Sequence, residues 1–170
     1  MRNTGCTVSN ISRQSGRINA PPLGFQMAQV NNPKRLLFVD DESSIREMLP
    51  LILRRYGFQV TVAATVSEAL QEITSKKFDL LLSDLNIESE SDGYVVVRAM
   101  REANPRCVVV ILTGFPPLNT SMEKIHHNVD EYITKPASAD ALVALLADRL
   151  AARKQEDAKE LIKRAGQGDS

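Results

Sequence analysis

Several large classes of protein are excluded by what this sequence lacks. Its longest unbroken apolar run is about seven residues, Ala141 to Ala147, far short of a membrane span. No basic start followed by an apolar stretch reads as a secretory signal, which places the protein in the cytoplasm. Cysteine occurs only twice, as Cys6 and Cys107, and two thiols make no disulfide framework. There is no internal repeat, and the composition excludes collagen and coiled coil. Acidic residues are missing from the first 39 positions, where Arg2, Arg13, Arg17, Lys34 and Arg35 give a charge of +5. The net charge of the whole chain is zero, so the remainder sets 16 basic residues against 21 acidic ones. A mildly acidic globular part argues against nucleic acid as a direct ligand, because a phosphate backbone needs a basic footprint.

What is present is ordinary for a globular protein: 170 residues, 43% hydrophobic and 25% charged. That length favours one domain with some extra chain and is sufficient for a real core. Residues 1–33 are rich in Asn, Ser, Gln, Gly and Pro, too polar to bury useful surface, and are expected to form a disordered arm. Met27 leaves open a start at that position, with residues 1–26 upstream of the true protein. The acid-poor beginning is also compatible with a transit peptide. Residues 34–150 are expected to form the domain, and residues 151–170 a charged helical extension containing RKQEDAKELIKR.

From Lys34 the pattern alternates between short apolar runs and helical segments. Strands are expected at Arg35–Val39, Phe58–Ala63, Asp79–Ser83 (running into Asp84), Cys107–Leu112 (running into Thr113) and Glu131–Thr134. Helices are expected from Ser43, as its cap, to Tyr56, then over Ser67–Ser75 and Tyr94–Ala103. A polar helix is expected near Leu118–His127, and a last one starts at Ser138 or Asp140 and reaches about Arg164. Gly57 should close the first helix and Pro50 should disturb it. Five apolar strands separated by helices mean an α/β fold: a three-layer parallel sheet with helices on both faces.

In such a sheet the site lies at the carboxyl ends of the strands. The first strand ends in Asp40-Asp41-Glu42, the third in Asp84, the fourth in Thr113 and the fifth in Lys135-Pro136. Each alone reads equally as turn or cap chemistry. Gathered on one edge, the carboxylates would repel unless a cation lay between them, and such hard oxygen donors suit Mg²⁺. A Thr and a Lys beside the metal suit a phosphoryl group.

The segments LFVDDE (37–42), DLLLSD (79–84), ILTG (111–114) and YITKP (132–136) strongly resemble the response-regulator receiver domain of two-component signalling. The resemblance covers about Lys34 to Leu150. It implies a flavodoxin-like strand order of 2-1-3-4-5 and makes Asp84 the phosphoacceptor. It implies that Asp41, Asp84 and the backbone carbonyl of Asn86 bind Mg²⁺ directly, with Asp40 acting mainly through water. Lys135 would pair with the phosphoryl oxygens and Thr113 would donate its hydroxyl, so Asp84, Thr113 and Lys135 form the reacting set. The resemblance also implies a cis bond between Lys135 and Pro136. It implies a switch in which Thr113 moves and Tyr132 turns into the freed space, altering the face of the polar 118–127 helix, the fifth strand and the last helix. The implied partners are a histidine kinase or histidine phosphotransfer protein, a downstream protein target, and a second copy in a phosphorylation-dependent homodimer. Neither nucleic acid nor a membrane is an expected direct partner.

The match departs from the family after Asp84. A Met-Pro pair is usual there, with a Gly about eight residues on, whereas this chain reads LNIESESDG and reaches Gly93 nine positions later. The loop is expected to be longer and more flexible; Glu88 or Glu90 either competes for the metal or is simply solvated. Gly114 beside Thr113 should leave the acyl phosphate open to water, giving it a modest lifetime. His126 and His127 lack partners at metal-ligand spacing and read as exposed imidazoles. Cys107 reads as a small core hydrophobe. About 20 residues after the expected domain cannot form an output module, so the expectation is a single-domain receiver, a phosphoacceptor rather than an enzyme. Its rival is a pseudo-receiver that binds protein without phosphorylation. A phosphatase of the haloacid dehalogenase type is disfavoured, because the Asp it needs two residues beyond the nucleophile is Asn86 here.

Overall fold

The computed structural model describes residues 32–89, 92–114 and 128–165. The expectations for Cys6, Met27, Glu90, the polar 118–127 helix and its two histidines lie outside the described residues. Within them, β1 (Arg35–Val39), α1 (Ser43–Arg55), β2 (Gln59–Ala63), α2 (Val66–Ser75) and β3 (Leu80–Asp84) come first. They are followed by α3 (Gly93–Ala103), β4 (Val108–Thr113), β5 (Glu131–Thr134) and α4 (Ala139–Ala165). All strand pairs are parallel and the order is β2-β1-β3-β4-β5, as the resemblance implies.

The near-continuous apolar runs are explained by cover on both faces. Leu37, Val39, Leu81, Val109 and Ile111 point to one side and pack with Ala69 and Ile73 of α2 and Val96, Val97 and Met100 of α3. Their neighbours Leu36, Phe38, Leu80, Leu82, Val108 and Val110 point to the other, against Leu53 of α1 and Leu142, Val143 and Leu146 of α4. Each strand thus alternates between two cores, as the period of two in side-chain direction requires. Cys107, just before β4, is fully buried, and burial pushes its thiol up to about 12. It packs as a hydrophobe, as expected.

The helix ends carry the corrections. Ser43 does not cap α1; Glu42 occupies that position and makes no side-chain cap bond. The reason is local: Glu42 is extended and its carbonyl accepts the Arg46 amide at 3.0 Å, so Ser43 is already the first helical residue. Pro50 stays inside α1 and is buried, its ring removing one amide donor from the helix ladder. Gly57 closes the helix at φ 90°, a backbone region that glycine alone enters without strain. Helix α2 starts one residue early, because Thr65 accepts the Glu68 amide at 3.1 Å while the Glu68 carboxylate accepts the Ala64 amide at 2.7 Å. That reciprocal arrangement is close to a capping box. Ser138 caps α4 through the Ala141 amide.

Helix α4 runs unbroken for 27 residues, about 40 Å. Its later turns are tied to the end of the sheet remote from the strands' carboxyl edge. Asp130 accepts from the Val109 amide at 2.7 Å, from Arg101 at 2.7 Å and from Arg153 at 2.9 Å. Arg149 pairs with Glu131, and Arg106, between α3 and β4, pairs with both Asp157 and Glu160 of the extension. Leu161 and Ile162 near its end are exposed.

Candidate functional site

The carboxyl ends of β1, β3, β4 and β5 converge. Asp40 follows β1 and is fully buried, Asp84 ends β3 and is partly exposed, and Asp41 is exposed beside them. One carboxylate oxygen from each of the three lies within 4.8 Å of the others. Lys135, immediately after β5, donates to Asp84 Oδ2 at 2.6 Å and to Asp40 Oδ2 at 2.9 Å.

The charges do not cancel, since three carboxylates face one ammonium. Burial holds the Asp40 carboxyl above its ordinary range, against the lowering pull of Lys135 and of the Glu42 amide. For Lys135 burial works downward, but the bonds to Asp84 and Asp40 outweigh it and hold the ammonium above its usual value. Clustered oxygen donors with surplus negative charge are the chemistry that a hard divalent cation satisfies. The donor set therefore fits Mg²⁺, with Asp40, Asp41, Asp84 and the Asn86 carbonyl as its candidate ligands. The Asn86 amide donates to Asp84 Oδ1 at 3.2 Å, which keeps that stretch of backbone folded back on the aspartate.

Thr113 ends β4 and is buried. Sheet register sets Asp84 opposite Leu112, one residue before Thr113, and pairs Thr113 with Thr134. The Lys135 amide donates to the Thr113 carbonyl at 2.8 Å, so the two side chains' backbones are directly bonded. The Lys135–Pro136 peptide is cis. Tyr132 lies on β5 opposite Ile111, half-buried against the core cluster that contains Tyr94. Burial, and then the neighbouring Tyr94 side chain, push its phenol above the ordinary value.

The loop after Asp84 is anchored at both of its ends. The Leu85 amide donates to the Leu112 carbonyl at 3.0 Å, Leu85 and Ile87 are buried, and the Gly93 amide returns to the Leu85 carbonyl at 2.8 Å. A Cβ on Gly93 would meet the Asp84 carbonyl oxygen at 2.2 Å, so glycine is required where α3 starts. Glu88 is exposed to solvent, and its carboxylate accepts the Val66 amide at 3.0 Å. Sequence reasoning also missed Arg46, whose guanidinium donates to the Asp40 carbonyl at 2.9 Å. The helical spacing of Arg46 from Glu42 offered no sign of that bond, because its partner is a backbone oxygen.

Residues 36–147 match the family model described as the response regulator receiver domain. The chain belongs to the response regulator receiver family. Over 124 residues the receiver is 32% identical to the transcriptional regulatory protein ZraR of Escherichia coli, covering 73% of this chain and 28% of that protein. The chain thus spans about a quarter of the length of such relatives. A CheY-like receiver domain protein from Methanospirillum hungatei superposes with a TM-score of 0.67 at 27% identity, over 74% of this chain and 99% of that one. A response regulator from Burkholderia pseudomallei, crystallised with a phosphorylated aspartic acid, a calcium ion and citrate, gives 0.61 at 26% identity, over 75% of this chain and 74% of that one. Receivers of this family are signalling modules of two-component systems, phosphorylated on aspartate and served by Mg²⁺ at an acidic pocket. Among the described residues, no helix is long and apolar enough to cross a membrane.

Proposed function

We propose that this receiver accepts a phosphoryl group on Asp84 from a histidine kinase or histidine phosphotransfer protein and passes the signal on through protein contact. The observation that carries the reading is the bridge of Lys135 between Asp84 and Asp40, on the rim of a three-carboxylate cluster. In the reaction one Asp84 carboxylate oxygen forms a bond to phosphorus as the phosphorus–nitrogen bond of a phosphohistidine breaks, leaving an acyl phosphate and a free imidazole. Lys135 turns from the carboxylates to the new phosphoryl oxygens, and the Thr113 hydroxyl donates to one of them. Mg²⁺, held by Asp41, Asp84 and the Asn86 carbonyl with Asp40 acting through water, would neutralise charge on the transferring group.

A protein donor is favoured by what adjoins the site. A cavity of about 620 Å³, lined by Ile45, Met48, Leu49 and Ile52 of α1 with Pro136 and Leu142, opens beside Lys135. Met48 on its lining is exposed, as is Leu51 one helical turn further along α1, an apolar surface suited to a helix of the donor. A cytoplasmic location follows from that partnership. Output is assigned to the face of β5 and α4, with Thr113 and Tyr132 as the switch pair and a downstream protein or a second phosphorylated copy as the partner. Residues 34–150 are the receiver in this reading, and the later residues its helical extension.

Intact mass after incubation with acetyl phosphate and Mg²⁺ tests the proposal. One added phosphoryl group is expected in the parent, with none in Asp84→Asn or without Mg²⁺. Absence of an adduct together with absence of Mg²⁺-dependent beryllofluoride binding would overturn it and favour the pseudo-receiver.

A further inference from the structure

The loop between β3 and α3 contains Asn86, whose amide donates to Asp84 Oδ1 at 3.2 Å, yet it lacks the proline that usually stiffens this stretch in the family. Its described part is nevertheless fixed. On the sheet side the Leu85 amide is bonded to Leu112, and Leu85 and Ile87 are buried. At the far end the Gly93 amide returns to the Leu85 carbonyl, and no side chain fits at that position. Among the described residues between these anchors, Glu88 Oε2 accepts the Val66 amide of a different element at 3.0 Å. Val66 is the first residue of α2, and its N–H is one of the helix's amides without an intrahelical acceptor. Thr65 and Glu68 take the Glu68 and Ala64 amides and leave Val66 for Glu88. A carboxylate at this point also meets the positive end of the α2 dipole.

We propose that Glu88 is a positioning residue for the metal-binding loop: by docking on the first turn of α2 it holds the Asn86 carbonyl toward the Asp40–Asp41–Asp84 cluster. The inference rests on the reading of that cluster as the Mg²⁺ site. The bond to the Val66 amide occupies one carboxylate oxygen and draws the side chain toward α2. Glu88 therefore raises the metal affinity of the site without being a ligand.

Calorimetric Mg²⁺ titration of the full chain tests this with three variants. Glu88→Ala should weaken Mg²⁺ binding roughly two- to tenfold, the range that the loss of one hydrogen bond supports. It should also speed amide hydrogen exchange over residues 85–89 in metal-free protein. Glu88→Gln keeps an oxygen acceptor and should stay within about twofold of the parent. Val66→Pro deletes the donor at a first-turn position that tolerates proline, after Thr65 in the extended conformation that proline demands. It should weaken Mg²⁺ binding as Glu88→Ala does, and the double variant should be no weaker than the worse single one. Unchanged affinity and exchange in Glu88→Ala would overturn the proposal. So would a Glu88→Gln variant as weak as Glu88→Ala, since that result would put the carboxylate on the metal itself. A parent that binds no Mg²⁺ at all would instead refute the underlying metal site.

Discussion

Lys135 and Asp84, 51 residues apart in sequence, are joined by an ion pair of 2.6 Å, and the same ammonium reaches the buried Asp40 at 2.9 Å. One cation thus restrains two carboxylates that would otherwise repel across a poorly hydrated space. Lys135→Met should cost about 2 kcal/mol of stability in a metal chelator, the scale of a hydrogen bond to a charged group left unmade. Part of that loss should return on adding Mg²⁺, because a divalent cation offsets the same repulsion. Thermal unfolding with and without Mg²⁺ reads both effects. Phosphorylation by acetyl phosphate should slow by roughly 100-fold, as when a charge-stabilising donor is removed from a reacting centre.

The two glycines near the acidic edge should respond in opposite ways. A Cβ on Gly93 meets backbone atoms of Asp84 and Leu85 that have no room to retreat, whereas one on Gly114 meets nothing within 4 Å. Gly93→Ala is expected to destabilise by about 1–3 kcal/mol, the usual penalty of overpacking, and to weaken Mg²⁺ binding by shifting the Asp84 carbonyl. Gly114→Ala should leave the unfolding midpoint nearly unchanged. It should lengthen the life of the phosphorylated form, measured by intact mass over time, by shielding the acyl phosphate from water.

Arg106 holds the extension of α4 by two acidic partners on successive turns. These pairs are half-exposed, so Arg106→Ala should cost less than about 1 kcal/mol of global stability. The local effect should be larger: amides over residues 151–165 should exchange faster while those of β4 do not change. Equal protection in parent and variant would mean that the helix holds itself up without the clamp.

The central strands β1, β3 and β4 were legible because each is buried on both sides, which forces an apolar run whose ends are marked by the first polar residue. Arg35–Val39 and Glu131–Thr134 fall where the pattern places them, and the others move by one residue. The convergence of Asp40, Asp41, Asp84 and Lys135 followed from strand order, since parallel strands share one carboxyl edge. Single bonds to backbone groups were not legible. Glu88 on the Val66 amide, Arg46 on the Asp40 carbonyl and Asp130 on the Val109 amide connect positions with no periodic relation, and each acidic or basic residue looked like solvated surface. The cap of α1 was misplaced by one residue, because the Glu42 carbonyl already accepts the Arg46 amide and draws Ser43 into the helix.

Sheet order also fixes the order in which the site acquires its charges during synthesis. Asp40, Asp41 and Asp84 all belong to the β2-β1-β3 portion of the sheet, which a nascent chain can pair as soon as Asp84 has emerged. Lys135 arrives about 50 residues later, on the edge strand that closes the sheet. The emerging chain therefore carries all three carboxylates before it owns the ammonium that pairs with two of them, and at that stage a divalent ion from solution is the available counter-charge.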